Sequence, residues 1–168
     1  HLHWSACVVN LNYIGPIDSP TWLEPAVKGR EAVFERLREI DRSMEDPNQT
    51  LFAWGFDPAF HGGQIDRDIL DGISKTRPIW VLSYAIHYLY VNSAMLDQLG
   101  ATDEMQMHGL GRFEDGRLNG QFIEFEATRF AMEPFRREML NPQRAREGMR
   151  KLAATAKRAG ITLTADMG

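Results

Sequence analysis

Alternation between apolar and polar residues divides the chain into predicted helices and strands. From about Gly29, apolar residues recur at steps of three and four with Arg and Glu between them, which predicts an amphipathic helix that ends before Asp46. Residues 51–56 and 79–84 are short apolar runs bounded by Asp57-Pro58 and Pro78, so they predict buried strands. The apolar positions of the first helix are Val33, Phe34, Leu37, Ile40 and Met44.

Two shorter helices are predicted in the middle of the chain. Residues 66–74 place three apolar side chains on one side of a helix. Residues 94–99 follow Asn92 and Ser93, either of which can cap a helix, and Gly100 supplies a stop. The apolar run before this second helix continues from the strand at 79–84 through residues 87–91.

A hairpin and a further helix are predicted next. The Asp-Gly pair at 115–116 favours a tight turn, so strands at 110–113 and 118–122 are expected to pair. A helix is expected over 123–133, with an interruption at Pro134. Between the two central strands, His61 could be a ligand, but we expect it to be an exposed loop histidine, because Gly62 and Gly63 follow it.

The last predicted helix has clear start and stop signals. Asn141 is the expected cap, Pro142 occupies the first turn and Gly160 lies just past the end. Residues 161–165 then predict a strand. The side chains expected to face inward are those of Ala145, Met149, Leu152, Ala153 and Ala156.

This order of elements predicts an α/β protein. The last helix leads directly into a strand, which is the connection that a β/α barrel uses. We therefore expect an α+β insertion domain at 13–138, flanked by two strands of a TIM-type barrel. The end of the first barrel strand is placed at 1–12, and a barrel helix with the second barrel strand at 139–168.

Composition narrows the function classes. The chain has 168 residues, 43% of them hydrophobic and 25% charged, with a formal net charge of −4, as expected for a soluble globular domain. The slight acidity argues against a nucleic-acid surface, and no apolar run approaches membrane-spanning length. The single cysteine, Cys7, excludes an internal disulfide framework and favours a reducing, cytoplasmic setting.

The opening tripeptide His1-Leu2-His3 is the candidate metal site. Residues two apart on a strand share a face, so the two imidazoles can meet one divalent cation such as zinc. Three interpretations remain open from the tripeptide alone. The histidines are exposed at a frayed terminus, or they form a copper site with a free amino group, or they end the first strand of a metallohydrolase barrel.

Four blocks of sequence together resemble the amidohydrolase superfamily, and within it amidohydrolase family 3, whose members include enzymes similar to N-substituted formamide deformylase. In one of these blocks Ile86 stands where the family has glycine, and in another Ala165 stands where a histidine is common. The blocks are His1-Leu2-His3, then Arg77-Pro78-Ile79-Trp80-Val81 through His87, Val91-Asn92-Ser93-Ala94-Met95-Leu96 and Gly100, then Asp115-Gly116 with Gly120 and Glu124, and finally Ala159-Gly160-Ile161-Thr162 with Asp166 and Gly168.

The resemblance implies a function. It implies hydrolysis of a non-peptide carbon–nitrogen bond in a small amide or formamide, by a water that a divalent metal, expected to be zinc, activates. His1 and His3 would be metal ligands. It also implies further ligands and a base on later strands, so this chain resembles about a third of such an enzyme and is expected to bind metal weakly and to show no turnover in isolation.

The insertion is expected to supply substrate-pocket residues, namely Trp54, His87, Tyr88 and Glu124. Each also has a structural interpretation: core packing for Trp54 and Tyr88, a satisfied structural histidine for His87, and a helix-start role for Glu124. A different class of function stays open as well, a non-catalytic α+β binding or assembly module whose histidines are incidental.

Overall fold

The computed structural model describes residues 9–11, 26–139 and 141–163. Within them the chain forms six strands and six helices. The strands are β1 (Val9–Asn10), β2 (Leu51–Phe56), β3 (Ile79–Ser83), β4 (Tyr88–Val91), β5 (Leu110–Arg112) and β6 (Leu118–Ile123). The helices are α1 (Arg30–Ser43), α2 (Arg67–Asp71), α3 (Ser93–Leu99), α4 (Glu124–Ala131), α5 (Glu133–Met139) and α6 (Pro142–Arg158).

The strands form one mixed sheet in the order β1-β2-β3-β4-β6-β5. The first three run parallel, because α1 and α2 provide the crossovers between them. From β3 onward every neighbouring pair is antiparallel. The apolar run after residue 79 is therefore a hairpin, with β3 and β4 joined by a turn at residues 84–87. This turn positions the candidate site described below.

Helices cover both faces of the sheet, which is why β3 is apolar throughout. Successive side chains of a strand point to opposite faces. Trp80 and Leu82 enter a core formed with α3, α4 and α5, and Ile79 and Val81 enter a second core formed with α1 and α2. The same alternation continues on β4, where the side chain of Tyr90 lies in the second core.

Arg77 ties the end of α1 to the sheet. Its buried guanidinium donates to the Asp41 carboxylate and to the carbonyl oxygens of Asp41, Met44, Asp46 and Gln49. Carbonyls at the end of a helix have no partner within the helix, so Arg77 supplies the donors that they lack. The predicted end of α1 before Asp46 is confirmed.

Asn92 joins β3, β4 and α3. Its side-chain oxygen accepts from the backbone N–H groups of Ile79 and Met95, and its amide donates to the carbonyls of Ser74 and Arg77. All four distances lie between 2.8 and 3.0 Å, and the residue is fully buried. The predicted Asn92 cap of α3 is therefore confirmed. Both the oxygen and the nitrogen of the Asn92 side-chain amide have hydrogen-bond partners.

The end of the described chain differs from the prediction. Residues 161–163 have no strand assignment, and Ile161 and Leu163 are exposed, while residues 164–165 lie outside the described part. The inward positions Met149 and Ala153 were wrong, because both are exposed. Gly148 is the buried residue of α6. The less exposed side of the helix therefore passes through residue 148, at helical steps of three and four, and not through residues 149 and 153. That side consists of Ala145, Gly148, Leu152 and Ala156.

Candidate functional site

His87 and Glu124 lie side by side at the end of the sheet. The pairing of β4 with β6 aligns Tyr88 with Ile123, so the residue before β4 meets the residue after β6. The backbone N–H of Glu124 donates to the carbonyl of His87 at 2.9 Å, and His87 Nδ1 lies 3.2 Å from Glu124 Oε2. A carboxylate only accepts hydrogen bonds, so Nδ1 carries the proton of this contact.

The backbone at Glu124 and at Ile86, the residue before His87, adopts a conformation that L-residues rarely use. Ile86 has φ 65° and Glu124 has φ 62°, and among the described residues these are the two non-glycine positions with positive φ. Each costs on the order of 1–3 kcal/mol, more for a β-branched residue. Glycine, the residue that the family resemblance leads us to expect at position 86, adopts positive φ without strain.

The surrounding structure holds both residues in these conformations. In the β3–β4 turn, the N–H of Ile86 donates to the carbonyl of Ser83, and the N–H of Tyr88 donates to the Ser83 hydroxyl. At the start of α4, the Thr128 hydroxyl donates to the carbonyl of Glu124 at 2.7 Å. The N-cap residue of α4, Ile123, makes no side-chain capping hydrogen bond, and the carboxylate of Glu124 contacts His87.

The pair lies in the wall of an apolar groove of about 590 Å³ between the β3–β4 turn and α4 with α5. Two of its apolar side chains are unusually exposed, Ile86 at 57% and Phe125 at 77%. Its charged members besides the pair are two arginines. The groove is lined by Leu82, Ala85, Ile86, His87, Glu124, Phe125, Thr128, Arg129, Met132 and Arg136.

The helical lining was missed by sequence reasoning, although a signal for it exists. Phe125, Arg129, Met132 and Arg136 follow steps of four, three and four. That spacing places them on one side of a continuous helical path. The path crosses the junction of α4 and α5. Pro134 lies in the first turn of α5, so the two helices follow each other directly.

The structure separates the other two predicted pocket residues from this pair. Trp54 is half-buried, packs on the core that contains Leu82 and stacks on Tyr84, with ring centroids 5.8 Å apart. Tyr88 lies on the opposite face of the sheet, where it stacks on Tyr90 with centroids 6.2 Å apart. The groove is lined by neither of them.

His61 is buried, so the prediction of an exposed loop histidine was wrong. Its ring stacks on Phe56 with centroids 5.3 Å apart, and Nδ1 accepts from the backbone N–H of Asp57 at 2.9 Å. Nε2 lies 3.0 Å from the carbonyl of Val27 and donates to it. The loop at 57–61 turns back over the end of β2, which places the imidazole against the strand.

The resolved shifts in pKa lie outside the groove. Burial raises the pKa of Tyr90, whose hydroxyl donates to Gln64 Oε1 at 2.5 Å. In the β5–β6 turn, the Arg117 side chain donates to Asp115 and lowers the pKa of that carboxyl.

The predicted Asp-Gly hairpin between β5 and β6 is confirmed by their pairing.

A metal centre is not provided by the part of the chain that the structure describes. Within residues 9–11, 26–139 and 141–163, no three His, Cys, Asp or Glu side chains come together as metal ligands, and His87 with Glu124 is only a pair. Catalytic zinc has three protein ligands. His1 and His3 lie outside the described residues, so the described donors do not fit a metal centre by themselves.

Comparison with known proteins places the chain in a family. Two solved structures share its fold, uncharacterized metal-dependent hydrolases from Pyrococcus furiosus (TM-score 0.55, 18% identity) and Pyrococcus horikoshii OT3 (TM-score 0.56, 17% identity). They match over 94% and 95% of this chain, which spans 27% and 32% of theirs. No curated protein matches, and no helix in the described ranges is long and apolar enough to cross a membrane. The profile of the amidohydrolase family matches residues 12–168, so the chain belongs to the amidohydrolase family.

Proposed function

We propose that this chain is part of a longer metal-dependent hydrolase that cleaves non-peptide carbon–nitrogen bonds in small amides or formamides. The family match over residues 12–168 carries the proposal. The His1-Leu2-His3 pattern supports it independently, because it lies next to the matched range and has the spacing of two ligands on one strand. The descriptions of both structural neighbours as metal-dependent hydrolases point in the same direction.

In this proposal His1 and His3 hold a divalent metal, with zinc as the expected ion. Such an ion lowers the pKa of a bound water and polarises a substrate carbonyl. The remaining ligands and the general base come from parts of the enzyme outside this chain. We expect residues 1–12 to lead from the first barrel strand into the insertion, and residues 139–168, which contain α6, to lead back to the second barrel strand in the full-length enzyme.

The six-stranded sheet is the insertion between those strands. β1 pairs with β2, so residues 9–10 belong to this sheet although they precede the proposed boundary at 13. The turn at 84–87 and the start of α4 bring His87 and Glu124 to one edge of the insertion. We place the substrate at this edge, in the groove that the pair lines.

The test compares the full-length protein with a His1→Ala, His3→Ala double variant on a panel of amides and formamides. The proposal expects hydrolysis by the unmodified protein and a loss of more than about 100-fold in rate in the variant, because removing a residue that only supports a metal ligand already costs about 10- to 100-fold. His108→Ala is the matched control, because His108 is an exposed histidine away from the groove. Equal rates in all three proteins would remove the assigned role.

A further inference from the structure

The groove beside His87 is lined by an arginine that forms no ion pair with a described residue. Glu124 contacts His87, and Arg136 Nη1 lies 3.6 Å from Glu133 Oε2, although Glu133 also pairs with Arg137 at 3.0 Å. Arg129 is exposed, lines the groove and forms no ion pair with any described residue. The groove lining is mostly apolar, and Arg129 is its guanidinium without an ion pair to a described residue.

The His87 ring adds a directed polar contact. Glu124 holds Nδ1, and Nε2 makes no hydrogen bond to a described residue. Because the carboxylate fixes the proton on Nδ1, Nε2 of the neutral ring is an acceptor. The contact with Glu124 orients this ring, and the positive φ at residues 86 and 124 is a kind of strain that clusters at ligand sites.

We infer that the groove binds the apolar part of an anionic substrate, with Arg129 pairing a carboxylate and His87 accepting a hydrogen bond from the substrate's amide. The inference rests on the proposed function for the amide. It names the substrate class more closely: a small amide with an aryl or branched alkyl group and a carboxylate. The volume of about 590 Å³ is ample for a substituent of this size.

The apolar part of the occupant is argued from the lining. Leu82 is nearly fully buried, and Met132, Phe125 and Ile86 add apolar surface around it. Covering this surface removes apolar area from water, which favours binding without fixing orientation. Orientation must come from the polar groups, and Arg129 can pair with a carboxylate through two parallel N–H donors.

The experiment measures binding of two unreactive probes to the full-length protein, phenylacetate and 2-phenylethanol, by calorimetry or ligand-observed NMR. The probes share a ring and differ in the carboxylate. Arg129→Ala is expected to weaken phenylacetate about 3- to 10-fold and to leave 2-phenylethanol unchanged, with partial recovery in Arg129→Lys. Met132→Ala is expected to weaken both probes. Arg146→Ala, which removes an exposed arginine on α6, should change neither.

The inference is overturned if phenylacetate does not bind, or if Arg129→Ala affects both probes equally or neither. If a metal alone held the carboxylate of phenylacetate, Arg129→Ala would affect the binding of neither probe. Amide hydrolysis by the unmodified protein is measured in parallel. Hydrolysis without Arg129-dependent binding removes this inference alone, whereas Arg129-dependent binding without hydrolysis removes the proposed function and keeps the anion site.

Discussion

Asn92→Ala tests the account of how the sheet and α3 are joined. The substitution removes four hydrogen bonds at once and leaves the N–H groups of Ile79 and Met95 and the carbonyls of Ser74 and Arg77 without their partner. An unsatisfied buried polar group costs about 1–3 kcal/mol. Water entering the small cavity and local relaxation recover part of this cost, so we expect a loss of about 3–6 kcal/mol in the free energy of unfolding.

Two measurements follow this loss. Urea unfolding monitored by tryptophan fluorescence reports global stability, because Trp80 is fully buried in the core. Hydrogen exchange at the amides of Ile79 and Met95 reports the local change, and a loss of about 3 kcal/mol speeds exchange by about 100-fold. Asn48→Ala is the matched control, because Asn48 is exposed and its side chain makes no hydrogen bond to a described residue. It should change stability by less than about 0.5 kcal/mol.

A loss below about 1 kcal/mol in Asn92→Ala would refute this reasoning. It would mean that the four backbone groups find other partners readily. Unchanged exchange at Ile79 and Met95 would refute it independently, since these two amides donate directly to the Asn92 side chain.

Three further predictions concern stability. Arg77→Met should lower the free energy of unfolding by about 3–5 kcal/mol in urea titration, because it leaves the Asp41 carboxylate and the carbonyls around it unpaired; a neutral result would contradict the assigned role. Ile86→Gly should raise it by about 1 kcal/mol, since φ of 65° suits glycine; destabilisation would show that the turn is not strained. Burial raises the pKa of Tyr90 above its ordinary value of 10.0. The contribution of the neutral Tyr90 hydroxyl to folding stability is therefore complete below pH 10 and is lost as the pH rises further. Tyr90→Phe should therefore remove part of the alkaline loss of stability seen in pH-dependent unfolding, and an unchanged profile would exclude Tyr90 as its source.

Much of the fold could be predicted because local signals agreed with one another. The helical period of α1, the Asn92 cap with Gly100, and the Asp-Gly turn each depend on residues close in sequence. The end of the chain could not be predicted in the same way. Whether residues 161–163 form a strand depends on a neighbouring strand, and no described strand lies beside them.

The candidate site shows the same division. The resemblance singled out His87 and Glu124 separately, but their contact depends on the pairing of β4 with β6 across 37 positions. His61 was misplaced because its burial depends on a loop folding over Phe56, which no periodicity reveals. Tyr88 was expected in the pocket with His87, yet alternation along β4 turns its side chain to the other face.

Metal content of the full-length protein tests the central claim most directly. Elemental analysis by mass spectrometry, after dialysis, should find at least about one divalent ion per chain in the unmodified protein and in His108→Ala, and a large loss in the His1→Ala, His3→Ala variant. The ion bound should be zinc if the expected donor set is correct. Metal content that is the same in all three proteins would contradict the claim that the opening histidines hold the metal.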